Sequence, residues 1–425
     1  MSKIINTLFV ILILLLPTQL GRHFWPEWSL VDGVRVDYLS PTVYVTDVIL
    51  ILLIAAVIIN QKSDIRYQIS KCRCVSILFM ISYILFIIWR SPRQWLAAYW
   101  VTRCLEIPLA AWATAKVMSN EQKTENNELI QSALAVSLAF SVGLGIMQMV
   151  LGGTTEWFWW LGERSFTAAA AGVATLTVFG KEVMRPYATF GHPNALGGFL
   201  AVGTMILLRK KEEGRRKKAA RDQWGTIGVW AGVLGVILTG SRGAIAALVI
   251  AALLKIQNSE FRIKILLILG GLGILVVLGN LGDTVKFANE SLVDRVALTL
   301  AAARMWRDNL VIGVGPGQFL VKLPEYLPGG FYKIQPVHNI FLLGLTEFGI
   351  IGVGIMVITI IKIIKITRIR RFRSVFADKR IGIFRWLPVL AVILITGMVD
   401  HYWLTAQQNR LLLGVMLGLW IWGRQ

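Results

Sequence analysis

Four histidines and a few arginines are the residues of this sequence best suited to chemistry. The histidines are His23, His192, His338 and His401. A neutral imidazole near pH 7 can take a proton from a hydroxyl. His338 stands in Gln335-Pro336-Val337-His338-Asn339-Ile340, directly before a long apolar run. A capping or packing histidine has the same local sequence, so both roles are open for it. Arg242 lies in Thr239-Gly240-Ser241-Arg242-Gly243-Ala244, between two apolar runs with no room for a soluble loop. An arginine so close to hydrocarbon is unfavourable unless it pairs, snorkels or lines an aqueous cavity. The flanking glycines let a ligand approach the backbone, which suits a fixed site for an anionic head group better than snorkelling does. Arg295, on an amphipathic stretch from Ser291 to Trp306, can supply a second guanidinium. Guanidinium forks match phosphate oxygens in pairs, although a solvated helix face is the plainer role for Arg295.

Arg185-Pro186-Tyr187-Ala188-Thr189-Phe190-Gly191-His192-Pro193-Asn194-Ala195-Leu196-Gly197-Gly198 leads from a polar segment into an apolar one. Pro193 suits the first turn of a helix, and Thr189 or His192 can cap it. Equally, Arg185, His192 and Asn194 can surround a polar ligand. Asp400-His401-Tyr402 ends another apolar run and can orient a further member of such a site. Asp32 and Asp37 are carboxylates that compete with His338 for the role of base. Arg103 and Glu106 are three residues apart inside an apolar run and share a helix face, which makes them a structural pair.

Other chemistries are missing. The sequence has no phosphate-binding P-loop, no Asp-x-Asp pair to hold a divalent metal with a nucleotide sugar, and no GxSxG elbow. Cys72 and Cys74 are separated by one residue with no histidine nearby, so they and Cys104 are expected as free thiols. No metal and no cofactor is expected.

The elements that must position these residues are membrane helices. Of 425 residues, 56% are hydrophobic and 16% charged, against about a quarter charged in an ordinary soluble domain; mean hydropathy is +0.64. Apolar runs recur near 4–20, 43–60, 75–89, 95–117, 129–151, 191–208, 225–240, 243–257, 264–280, 338–361, 386–400 and 410–423. Each can cross or nearly cross a hydrocarbon core roughly 30 Å thick. The first run lacks a small-x-small cleavage site and is expected as a retained helix. The fold class is therefore all-α, a bundle of about twelve spans forming one membrane domain over 1–425.

Net charge is +20, yet its distribution argues against a nucleic-acid partner. Residues 209–221 hold eight Lys/Arg against two Glu, and residues 362–385 hold nine against one Asp. Such clusters between spans mark cytoplasmic loops and lie where anionic membrane lipids attract them. Both termini are then cytoplasmic, and every histidine falls on the external side. That side also receives the loops 21–42, 152–190 and 281–337. The last is a long external loop within the domain, expected to carry short helices and a turn-rich Gly313-Val314-Gly315-Pro316-Gly317. Loops of this length are usually functional. The tryptophans Trp157, Trp159 and Trp160 are expected as interfacial anchors.

Taken in order, these pieces resemble the O-antigen ligase and O-antigen polymerase family of bacterial membrane glycosyltransferases. The resemblance is carried by Arg185 to Gly198, Thr239 to Ala244, Ser291 to Arg295 leading to Gly313-Val314-Gly315, Val337-His338-Asn339 with Glu347-Phe348-Gly349, and Asp400-His401-Tyr402. It implies a GT-C-like fold in the cytoplasmic (inner) membrane. It also implies transfer of a glycan from a polyprenyl diphosphate donor to a glycan or glycolipid acceptor outside that membrane, inverting and without metal. Arg242 and Arg295 correspond to the family's diphosphate-binding arginines and His338 to its essential loop histidine. Arg185, His192 and Asn194 belong to the motif without an assigned role. A non-catalytic transporter of lipid-linked glycan is the alternative from another class. It would need opposing access from the cytoplasm, whereas the distinctive polar residues lie on one face.

Overall fold

In lipid, a chain can satisfy its own backbone groups only as helices or closed barrels, and long runs of apolar residues take the first course here. The structure is a computed structural model that describes residues 2–60, 71–119, 123–178, 180–214, 223–255, 284–327, 334–369 and 386–422. Its helices are α1 (Ser2–Leu14), α2 (Val45–Asn60), α3 (Lys71–Arg90), α4 (Gln94–Ser119), α5 (Lys123–Leu151), α6 (Pro193–Gly214), α7 (Gln223–Leu238) and α8 (Arg242–Lys255). They continue with α9 (Thr284–Asp308), α10 (Phe319–Tyr326), α11 (Ile340–Ile369), α12 (Leu387–Val399), α13 (Tyr402–Thr405) and α14 (Gln407–Trp422). Every expected span within the described residues coincides with a helix, while the one at 264–280 lies outside them. Among the described residues, Glu128–Leu151 and Ile340–Ile358 are long and apolar enough to cross a membrane by themselves, and several other apolar helices are shorter. The first helix stops at Leu14 rather than 20, because Pro17 cannot donate to the helical ladder. The amphipathic stretch expected at 291–306 is part of the longer α9.

Short hairpins, which period analysis did not reveal, decorate the helices. β1 (Gly21–His23) pairs antiparallel with β4 (Thr42–Tyr44), enclosing the hairpin of β2 (Leu30–Val31) and β3 (Val34–Arg35). Asp32 and Gly33 have positive φ at its tip, as a two-residue turn matched to strand twist requires. β5 (Thr175–Val178) and β6 (Lys181–Met184) form a third ribbon that leads into Arg185.

Two apolar cores result. The larger joins α1, α2, α4 to α8, α12 and α14. The smaller packs Val31, Val36 and Leu39 of the 21–42 loop against Leu298 and Met305 of α9, Phe319 of α10 and Val337. The two loops therefore form one packed unit beside the bundle. The long loop is locked to α11 by the glycine motif and Glu347-Phe348-Gly349. Val314 and Gly315 donate to the carbonyls of Thr346 and Glu347 at 2.9 Å, and Ile350 and Ile351 donate back to Leu310 and Val311. Gly349 makes this possible at φ 63°, with Val311 backbone where a side chain would start. That pair of motifs is a docking joint.

Buried charges tie α2, α4 and α14 together. Arg103 pairs with Glu106, as their spacing led us to expect, and also with Asp47 at 3.0 Å, while Arg410 reaches Glu106 at 3.3 Å. Cys104 is a free thiol; the side chains of Cys72 and Cys74 lie outside the described residues.

Candidate active site

Sequence motifs far apart in the chain meet where α6 begins. Gly197 and Gly198 in its first turns are the junction. A Cβ on Gly197 would lie 3.0–3.1 Å from Thr239, Ser241 and Ala244, and one on Gly198 would lie 2.3–2.6 Å from the Tyr402 ring. So α6 touches the Thr239–Ala244 turn on one side and the Asp400-His401-Tyr402 segment on the other. We expect Gly198→Ala to lower stability by about 1–3 kcal/mol through overpacking, read as earlier unfolding in detergent; an unchanged midpoint would mean that Tyr402 is free to move aside.

The approach to α6 is held from below by Gln148 of α5. Its Oε1 accepts from the backbone N–H groups of Tyr187 (3.1 Å) and Ala188 (2.7 Å), and its Nε2 donates to Glu163 (2.9 Å). This fixes Ala188 at φ 50°. Burial alone would raise the Glu163 pKa, but hydrogen bonds from Thr155, Gln148 and the Phe158 backbone bring it below its ordinary value. His192 proves to be the helix cap: its Nδ1 accepts the Asn194 N–H at 3.1 Å.

Arg185 and Asn194 link the rest. Arg185 donates from Nε to the Thr239 carbonyl (2.6 Å) and from Nη2 to Asn194 Oδ1 (2.8 Å). Asn194 in turn donates from Nδ2 to Asp400 Oδ2 (2.9 Å). The other oxygen of Asp400 accepts the His401 backbone N–H at 2.8 Å and faces His338 Nδ1 at 3.7 Å. The rings of His338 and His401 lie 5.2 Å apart, and His401 Nδ1 engages Thr405 Oγ1 at 2.8 Å. In Val337-His338-Asn339 the three residues divide the work. Val337 is fully buried, Asn339 caps α11 through N–H groups of Phe341 and Leu342 at 2.9 and 3.0 Å, and His338 is left for the site.

Arg295 and Gly243, the residue after Arg242, both meet Val399, the residue before Asp400. Arg295 Nη1 donates to the Val399 carbonyl at 3.3 Å, and Gly243, next to Arg242, packs against the Val399 side chain. Ser241 caps α8, its Oγ accepting the Ala244 N–H at 3.4 Å, so Arg242 is the first residue of that helix. A cation at the positive end of a helix dipole is unfavourable by itself; the same place favours an anion. Burial lowers the Arg185 pKa to about 10, and the charges of Arg242 and Arg295 add to that while Tyr187 and Asp400 oppose it. Of the three, Arg185 is linked to Asp400 through Asn194, and Arg295 reaches the carbonyl of the residue before it. Burial pushes His401 down to about 3, against the pull of Asp400.

His338, Asp400 and His401 have donor atoms within 4.8 Å of one another, a set able to hold a cation. Both Asp400 oxygens and His401 Nδ1 already have hydrogen-bond partners, and the arginines add positive charge.

Of the six singled-out residues, Arg185, His192, Asn194, Arg295 and His338 are linked here by contacts, and Arg242 is the exposed first residue of the adjoining α8. The competing carboxylates do not join them directly. Asp32 is at the hairpin tip, and Asp37 pairs with Arg164 at 3.5 Å. His23 is structural, its Nδ1 lying 3.1 Å from Ser40 Oγ and 3.0 Å from Thr42 Oγ1. Sequence reading missed Tyr38, whose ring stands edge-on to His401 at 5.3 Å; its only signal was a place in an aromatic external loop. Residues 227–357 match the family model described as O-antigen ligase. A comparison with curated proteins gives no match.

Proposed function

We propose that this chain, whose residues 227–357 match the O-antigen ligase family model, transfers a glycan from a polyprenyl diphosphate carrier to an acceptor sugar outside the cytoplasmic membrane. The observation that carries this reading is the junction at the start of α6, where Arg185 bridges the Thr239 carbonyl and Asn194, Asn194 donates to Asp400, and Asp400 faces His338 at 3.7 Å. Arg242 and Arg295, with the free N–H groups at the start of α8, bind the diphosphate. Arg185 holds the Thr239 turn and Asn194 in place. Asp400 orients His338 with Nδ1–H toward it, which leaves Nε2 as the proton acceptor. The acceptor oxygen forms its bond to the anomeric carbon from the face opposite the diphosphate and gives its proton to Nε2. The sugar–phosphate bond breaks, and the electron pair leaves on the carrier diphosphate. The arginines stabilise that negative charge as it develops. Stereochemistry inverts, and energy stored in the donor drives the step without ATP or metal.

The same reading makes the chain a single domain of about twelve spans with cytoplasmic termini and the 281–337 loop outside. Purified protein given a polyprenyl-diphosphate glycan and candidate acceptors in detergent should release carrier without any gradient, and EDTA should leave the rate unchanged. One transfer per acceptor identifies a ligase, a ladder of products a polymerase. Donor binding without release, together with flux across vesicles, would favour a transporter. Loss of release in EDTA, restored by a divalent ion, would assign the His338, Asp400, His401 set to a metal.

A further inference from the structure

The first external loop is built more firmly than its length of chain requires. Its base is the β1–β4 ladder, and its interior residues Val31, Val36 and Leu39 are buried in the core shared with α9 and Val337. Arg93 at the start of α4 clasps it by donating to the carbonyls of Trp28, at 3.0 Å, and Leu30. Within it, Asp37–Leu39 form one short helical turn. Asp37 on one side pairs with Arg164, and Leu39 on the other is fully buried. Tyr38 between them is held edge-on against His401, the ring neighbour of His338.

We infer that Tyr38 forms part of the acceptor-sugar subsite, contacting the sugar whose hydroxyl is delivered to His338. The inference rests on the glycosyl-transfer reading above. Three features point to an acceptor sugar rather than the donor diphosphate. Tyr38 reaches the cluster from an external loop, while the donor is anchored among the helices by its tail. The charges nearest its hydroxyl are of both signs, Asp400 first, then Arg164 opposing it, then Asp37, a mixed surrounding that suits neutral hydroxyls. An aromatic face with a hydroxyl at one end presents the apolar and polar surfaces that a pyranose presents in turn. Burial, then Asp400, pushes the phenol up to about 12, so it remains a hydrogen-bond donor at neutral pH.

The test uses the full chain in lipid nanodiscs. Short oligosaccharides cut from the host cell's own surface polysaccharide serve as acceptor probes, and a fluorescent polyprenyl diphosphate as donor probe. Tyr38→Ala should weaken oligosaccharide binding about tenfold and Tyr38→Phe about threefold, in line with losing a stacking face plus a hydrogen bond, or the hydrogen bond alone. Donor-probe affinity should not change, and Trp157→Ala, on another external loop, should bind both probes as wild type does. Unchanged oligosaccharide affinity in Tyr38→Ala overturns the assignment, and so does an equal loss of donor affinity. A wild-type chain that binds no oligosaccharide overturns it too. If Tyr38→Ala selectively loses the oligosaccharide while wild type never releases carrier, the sugar subsite stands and it is the transfer reading that fails.

Discussion

Replacing His338 with alanine is expected to lower carrier release by about two to four orders of magnitude, the usual contribution of a positioned general base, with donor affinity retained. The separation of effects follows from the architecture. In the proposed mechanism the diphosphate is held by guanidinium groups from α8 and α9, whereas His338 comes from the turn before α11, which Val337 and Asn339 anchor independently. His338→Gln sharpens the point, because it keeps a polar side chain at the site but cannot accept the proton. Both variants should therefore bind donor as wild type does and fail at the chemical step. The competing assignment makes a distinct demand. If Asp32 or Asp37 were the base, His338→Gln would keep most of its rate and the carboxylate variants would lose theirs. Their placement argues against this, since Asp32 shapes a hairpin tip and Asp37 is committed to Arg164. Retained carrier release in His338→Gln would nonetheless refute the role given to the imidazole.

What could be read from the sequence depended on whether the cause was local. Helix-length apolar runs are local, so the all-α class was legible and each described span found its helix. The Arg103–Glu106 pair was legible for the same reason, being set by helix spacing. Its partners Asp47 and Arg410 were not, because nothing in the chain brings α2 and α14 to α4 until they pack. Arg242, Arg295 and His338 could be singled out because a charge or imidazole beside a long apolar run demands a reason. The work of Arg185 and Asn194 was not, since it is done on Thr239 and Asp400. Gly197-Gly198 read as an ordinary helix start, whereas its purpose is the close approach of two other segments. The short hairpins escaped notice because strands of two to four residues leave too little alternation to detect.

Arg410 is the position where a single substitution should damage stability most. It is 4% exposed and reaches Glu106 at 3.3 Å, Gln407 Oε1 at 2.7 Å and the Leu404 carbonyl at 2.7 Å. Arg103 and Arg410 balance Asp47 and Glu106, so the buried group carries no net charge. Arg410→Met removes one cation and leaves two buried carboxylates, Asp47 and Glu106, sharing Arg103, which should lower unfolding free energy by about 3–5 kcal/mol. Gly414 and Gly418, which let α14 lie directly on α4, leave little room for water to repair the loss. Glu106→Gln combined with Arg410→Met restores neutrality, so the double variant should be more stable than Arg410→Met alone. That reversal separates a charge effect from a packing defect, which would add rather than cancel. Activity should fall with stability in the single variant, because Arg410 also steadies Leu404, beside the Thr405 that holds His401. Denaturant titration in detergent reads all three proteins. An Arg410→Met protein as stable as wild type would show that the network is open to water and that α14 is held to α4 by close packing alone.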